Sequence, residues 1–556
     1  MGSTNRITGL IAAGLGVGLA SCQSDYRANA TNVASSLQGG SYEVAAAQAA
    51  GFLDDCDDRD RAVVLMEAAR TAQVAGDLEA STNYYLEVDE LLRPYLSTKP
   101  DALVSEVVSA TIVNQTMSTY RGTPGERIML CTLLAINRLA AGDLANARID
   151  LNRAHDWQQA AVAHYEAEIN SEQSALESAS RGKGRDVSGA RHHQGLAPLH
   201  QSVEDLRGYA DFANPFSTYL RGVFLLATSA DAGDLSNARS DFRAVLGMAP
   251  VTAPVVDSDI AAVEAAQRGE LPPTTWVFVM GGLGPYYEEF RLDVPIPFGQ
   301  VNYVSAAFPV FKRRTATMES FMLRSGELTA ASAPLCDLDQ ILGAEYRIRL
   351  PGVITQELAS SAAKTAATWA ASSAARSGGN NDAAALVMIA GWIYQAGSTA
   401  ADLRGWRSLP QRIAVARLAT PADGLVNVVG ADGNSLCSLS VDAGRNNIVV
   451  VTLPSAHAPP SIQMAQLATG LQQAPPAATV QPRDQPLAAP ISAAEVQPVA
   501  TPVKAVNQPV AAAATAPAAV AAPAASSSTG SADRGRVVRV RPGNAHSTKN
   551  GSGGPR

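Results

Sequence analysis

The phrase AGDLEA at residues 75–80 returns as AGDLANA at 141–147 and as AGDLSNA at 232–238. Each copy follows one apolar helical run and precedes another. In the second copy Met129, Leu133, Ile136 and Leu139 come before the turn, and Leu144, Ala147, Leu151 and Ala154 come after it. Spacings of three and four put each set on a single helix face. Gly76, Gly142 and Gly233 are expected to supply the positive φ that ends the first helix of each pair. Asp77, Asp143 and Asp234 are expected to cap the second helix by accepting backbone N–H groups. The reading is three helical hairpins, each closing two apolar faces on one another.

This pattern resembles the tetratricopeptide repeat. The third copy fits best: Leu225 precedes Gly233-Asp234, and Ala238, Phe242, Val245 and the terminating Pro250 follow at the repeat's offsets. In the second copy Gly142, Ala147, Leu151 and Ala154 hold the same places, without a closing proline. The first is degraded, with Gly76, Ser81, Tyr85 and Val88 there. The copies lie about 65 and 90 residues apart, where a regular array repeats about every 34. Extra helices, at roughly 101–118 and 156–180, are expected to fill the gaps. Residues 41–270 therefore read as an irregular α-solenoid. The resemblance implies that such units stack for stability and leave a groove for a protein partner.

From about residue 274 the period changes. TTWVFVMGG is a short apolar strand ended by Gly281-Gly282, and the Pro-bounded segments LGPYYEEFRLDVPIP and VNYVSAAFPVF follow it. A helical stretch runs from about 337 to 370. A second apolar helix, ALVMIAGWIYQAG at 385–397, is short for a membrane span and reads as a buried core helix. Three more strands are expected around IAVARL, LVNVVG and NNIVVVTL, with turns at Asp423-Gly424, Asp432-Gly433 and Gly444. The fold class is thus α+β: a helical N-terminal part and a smaller α+β domain at 271–455 with one antiparallel sheet. From Ala456 to 556 the chain turns to Ala, Pro, Gln, Val and Ser, too poor in large apolar groups to offset ordering entropy. A disordered tail is expected. Its end gathers Arg534, Arg536, Arg539 and Arg541, either a solvated tip or a contact for an anionic partner such as cell-wall polymer.

At the other end, MGSTNR with Arg6 precedes the apolar stretch ITGLIAAGLGVGLA and then Ser21-Cys22. The stretch has the size of a signal-peptide core and is too short for a permanent span. Leu19-Ala20-Ser21-Cys22 resembles the lipobox of bacterial lipoproteins. That resemblance implies removal of residues 1–21 and acylation, including palmitate, at Cys22. The lipid bilayer would hold the protein through that residue, with 22–40 as a linker after the anchor. Gln23 follows the cysteine where an Asp tends to retain enteric lipoproteins at the inner membrane. The expected place is therefore the outer membrane, facing the periplasm.

Composition sets limits on chemistry. Hydrophobic residues make up 46% and charged residues 17%, with a formal net charge of -8, which argues against a nucleic-acid surface. Cys56, Cys131, Cys336 and Cys437 have no CxxC spacing, so neither a zinc site nor a thioredoxin-like motif is read, and their pairing stays open. Cys131 lies in an apolar helical run as a small buried hydrophobe. No GxSxG elbow, HExxH or phosphate loop is present. His192, His193 and His200 sit in a Gly- and Arg-bearing loop whose spacing fits no helical ligand pair, so no metal is expected. Glu288 and Glu289 are adjacent and point to opposite faces of a strand. No catalytic residue, cofactor or metal ligand is expected.

Beyond these motifs, the arrangement resembles a family of bacterial lipoproteins with a repeat-containing N-terminal half. The features that carry it are the lipobox, Tyr120-Arg121-Gly122, Gly284-Pro285 with Glu288 and Glu289, and Trp406-Arg407-Ser408-Leu409-Pro410 before IAVARL. It covers about residues 22–454 and brings no established activity. The function expected is that of a non-enzymatic envelope scaffold that binds protein partners in cell-envelope assembly or regulation. The alternatives are a wall- or polysaccharide-acting enzyme in the α+β domain, or a subunit of a surface assembly.

Overall fold

The computed structural model describes residues 26–97, 118–161, 174, 193–209, 213–298, 301–317, 320–377 and 400–468. Helix α1 (residues 26–38) leads into α2 (Tyr42–Asp55) through Gly39-Gly40, and α3 (Arg61–Ala75) and α4 (Leu78–Leu92) follow. Gly76 ends α3 with φ +88, its N–H donating to the Ala72 and Gln73 carbonyls. Asp77 then caps α4, accepting the Ala80 N–H at 3.0 Å. The second pair, α5 (Pro124–Ala140) and α6 (residues 144–161), closes in the same way. Gly142 has φ +75, and Asp143 accepts the Asn146 N–H at 3.3 Å. A capping box between Thr123 and Glu126 starts α5.

The third pair, α7 (Pro215–Ala227) and α8 (Ala232–Met248), corrects the expected turn. Asp231, not Asp234, caps α8, accepting the Asp234 N–H at 2.9 Å. Gly233 therefore lies in the first helical turn rather than at a positive φ. The reason is local competition: an aspartate just upstream offers an earlier cap, so the helix starts sooner. This frees the Asp234 carboxylate to take a two-pronged ion pair from Arg148 of α6, at 2.7 and 2.9 Å. In all three pairs the small or apolar residues at the repeated offsets are buried: Ser81, Tyr85 and Val88; Ala147, Leu151 and Ala154; Ala238, Phe242 and Val245. Helix α9 (Ala253–Gln267) packs on α8.

Eleven described strands follow or interleave: β1 (Thr274–Gly281), β2 (Tyr286–Phe298), β3 (Val301–Lys312), β4 (Phe321–Ser325), β5 (Leu328–Ala331), β6 (Ala333–Asp337), β7 (Arg412–Ala419), β8 (Leu425–Gly430), β9 (Ser435–Ser440), β10 (Asn446–Leu453) and β11 (Ser461–Leu467). Helix α10 (Leu338–Ser377) stands between β6 and β7. The main sheet has the order β11-β10-β1-β7-β6 and the second β5-β4-β8-β9, while β2 and β3 form a ribbon. The single antiparallel sheet expected is thus replaced by three sheets, and the main one is mixed, because β1 pairs with β10 in parallel.

Both β1 and β10 are buried along their whole length, as near-continuous apolar runs require. Trp276, Phe278, Met280, Ile448 and Val450 face the helices. Val277, Val279, Val449 and Val451 face the second sheet, against Leu323, Val426, Val428 and Leu439. The result is three layers, helices on sheet on sheet. Leu65 of α3, Leu133 of α5, Phe216 of α7 and Val256 of α9 share one core cluster with β1 and β10.

Two expected boundaries move. Residues 22–40, expected as a linker, include α1, whose Tyr26, Val33 and Leu37 are buried. Strand β11 lies beyond 455, where a disordered tail was expected to begin, and pairs with β10 from Asn446↔Leu467 to Thr452↔Ser461. Its alternating buried positions hide in a polar-looking SIQMAQL after two prolines. The helices expected at 101–118 and 385–397, most of 162–180, the N-terminal residues through 25 and everything from 469 onward lie outside the described residues. No helix among the described residues is long and apolar enough to cross a membrane.

Candidate functional site

Residues 400–411 carry no helix or strand, yet Trp406, Arg407, Ser408 and Leu409 are all buried. A buried irregular segment leaves backbone groups that need partners. Helices α3 and α5 supply them. Glu67 of α3 accepts the Arg407 N–H at 2.6 Å and the Ser408 N–H at 3.2 Å. Glu126 of α5 accepts the Trp406 N–H at 2.9 Å, the Thr123 N–H at 2.7 Å and the Tyr120 hydroxyl. Tyr26 of α1 donates to the Gly405 carbonyl at 2.8 Å. From the β1–β2 loop, the Gly284 N–H donates to the Leu409 carbonyl at 2.6 Å. A Cβ at Gly284 would stand 3.3 Å from that carbonyl, so a larger residue would crowd this approach.

Arg404 is the charged centre of this joint. It pairs with Asp402 at 2.7 Å and Asp60 at 2.9 Å, donates to the Ser118 carbonyl at 2.9 Å and lies over the Tyr120 ring. Burial works against its charge, but the two aspartates outweigh it and raise its pKa. Burial raises the Glu67 carboxyl and pushes Tyr120 well up, the latter aided by Glu126. Three of the motifs that carry the family resemblance thus converge: Tyr120-Arg121-Gly122, Gly284-Pro285 and Trp406–Pro410. Their partners Glu67, Glu126 and Arg404 were not singled out from sequence. The signal available was a glutamate and an arginine, Glu67 and Arg70, inside an otherwise apolar helical run.

The same device recurs between α9 and the main sheet. Asp259, fully buried, accepts the Trp276 indole N–H at 2.9 Å and the Tyr219 hydroxyl, and pairs with Arg417 at 3.2 Å. These contacts tie α7, α9, β1 and β7 to one carboxylate. One face of α3 is likewise occupied from within. Arg70 reaches Thr452 at 3.2 Å and Met280, and the Gln463 side chain donates to the Gln73 carbonyl at 3.0 Å.

The remaining sequence candidates separate. Glu288 lies near Lys312 at 3.5 Å, while Glu289 pairs with Arg291 at 2.7 Å and accepts the Ala401 N–H at 3.1 Å. His193 and His200 line one open cleft with Arg207 and Arg347, and His192 lies outside the described residues. No three His, Cys, Asp or Glu side chains among the described residues converge as a metal-ligand set. Cys131 and Cys336 are buried free thiols, and Cys56 and Cys437 are half-buried free thiols. Cys22, Arg534, Arg536, Arg539 and Arg541 lie outside the described residues. Comparison with protein-family models, with curated proteins and with solved structures finds no match.

Proposed function

We propose that the chain is a lipid-anchored, outer-membrane scaffold of the periplasm, of the tetratricopeptide-like lipoprotein family its motifs resemble. It would present a rigid helical body to protein partners in cell-envelope assembly. The observation that carries this reading is the use made of buried charge. Glu67, Glu126, Arg404 and Asp259 spend their hydrogen-bonding capacity on holding helices to sheet and loop, which is the chemistry of a framework. The repeated offsets of the three hairpins are buried alike, which supports the repeat reading. Since the inner α3 face is filled by the chain's own sheet, a partner would take the outward helix faces. The lipobox supports anchoring through Cys22.

Cross-linking of intact envelopes, followed by capture of the full-length protein, should recover a defined protein partner, and Cys22→Ala should abolish uptake of labelled palmitate. Palmitate uptake by that variant would remove the anchor. Release of soluble fragments from isolated walls by the purified protein would replace the scaffold with a wall-acting enzyme.

A further inference from the structure

The cleft beside the short helix Ala197–Gln201 has a volume of about 710 Å³ and is lined by His193, His200, Val203, Glu204, Arg207 and Arg347 among others. Its two arginines come from different elements, held together by tight packing. Arg207 lies in the turn that follows the short helix, and its N–H donates to Gln340 of α10 at 3.1 Å. Leu206 packs into the space over Gly343, where a Cβ would come within 2.1 Å of it. Gly208, at φ +67, sits directly on Ala344. The turn is thereby fixed on the stretch of α10 that carries Arg347.

The positive charge in the cleft is only partly offset: Glu204 also lines it, and the Arg207 guanidinium donates to the Glu204 backbone carbonyl. The neighbouring Asp205 is drawn away to Arg313 at 3.0 Å. Among the described residues neither Arg207 nor Arg347 has a carboxylate partner, although Glu204 lies in the lining. His193 accepts the Gly195 N–H on Nδ1 at 3.1 Å, which leaves its ring proton on Nε2 as a donor.

We propose that this cleft binds a phosphate group carried on a larger organic molecule. Guanidinium groups favour oxyanions, and a single Arg fork already saturates a carboxylate's two oxygens. Donors arriving from three separate elements suit the several oxygens of a tetrahedral phosphate. The volume exceeds what phosphate alone would fill, and the exposed Ala197 offers apolar surface to the carrier.

Calorimetric titration of the full-length chain at low ionic strength, with inorganic phosphate and separately with glycerophosphoglycerol, tests this. Binding of the diester points to a lipid headgroup or polymer and supports the proposal; binding of phosphate with none of the diester means that the site takes phosphate without such a carrier and overturns it. Arg207→Gln with Arg347→Gln should weaken binding at least about tenfold, as expected for loss of one or more charge-assisted contacts. Arg445→Gln, which removes an equal charge at an exposed position elsewhere, should leave it unchanged. Melting temperatures confirm that the variants fold, and the exposed Arg207→Gln alone serves if the pair does not. Failure of both probes to bind, or equal loss in Arg445→Gln, overturns the proposal.

Discussion

Two glycines in the same repeated phrase carry different loads. Gly142 sits at φ +75, where a Cβ meets the preceding carbonyl, with open space beyond it. Gly233 lies in a helical turn, where a Cβ would stand 3.0 Å from Asp231 Oδ1, the cap oxygen. Gly142→Ala should therefore cost about 1–2 kcal/mol in urea unfolding. Gly233→Ala should cost clearly less, because helix propensity offsets the crowding at the cap. Equal losses would return Gly233 to the role its sequence suggested. Among the buried acids, Glu345 is one whose protonation should change with pH. Its Oε1 accepts the Gly125 N–H at 2.7 Å, and its Oε2 finds no partner among the described residues. Burial pushes its carboxyl up to about 7. The folded protein thus keeps a proton there that the unfolded chain releases at lower pH. The group's stabilising effect is greatest in acid and fades as pH rises toward about 7. Glu345→Gln should gain on the wild type between about pH 5 and about pH 8, by at most about 3 kcal/mol. Urea denaturation at both pH values would show it, and a pH-independent difference would refute it.

At the scale of elements, β11 decides where the folded chain ends. Its Gln463, Ala465 and Leu467 are buried, and its backbone completes the edge of the main sheet beside β10. Truncation after Ser455 should lower the melting temperature clearly, by exposing Ile448, Val450 and the edge of β10, whereas truncation after residue 468 should leave it nearly unchanged. Indistinguishable melting of the two truncated forms would mean that β11 adds nothing to the sheet. Local pattern made some elements legible and others not. The hairpins announce themselves because periodicity and turn chemistry lie within one stretch of chain, as at Gly76-Asp77 and Gly142-Asp143. Strands β1 and β10 are also legible, as apolar runs. Their parallel pairing is not, since it joins Trp276 to Ile448 across most of the α+β half. The 400–411 joint reads as loop because its partners Glu67 and Glu126 lie on distant helices. At Asp231 two aspartates compete for one cap, and sequence alone gives no reason to prefer the earlier.

Over the whole molecule, the helices and the main sheet lack separate interiors. Phe216 and Tyr219 of α7 meet the Phe278 ring of β1 edge-on, at 5.6 and 5.8 Å. Leu65, Leu133 and Val256 continue the same cluster into α3, α5 and α9. Asp259 and Arg70 then bridge this boundary with buried hydrogen bonds, to Trp276 of β1 and Thr452 of β10, that water would have to replace if the parts came apart. A repeat array standing alone unfolds piecemeal, because each unit touches only its neighbours. Here every hairpin also leans on one sheet, so opening any of them exposes core that the others share. Amides in α3, α7, β1 and β10 should therefore exchange hydrogen with a common opening free energy and a common denaturant dependence. A fragment ending at residue 270 should stay unfolded, since it would expose the apolar faces that Trp276, Phe278 and Ile448 cover. Native-state hydrogen exchange in which α3 opens well below β1, or a fragment to 270 that melts cooperatively, would show instead that the helical part is an independent domain.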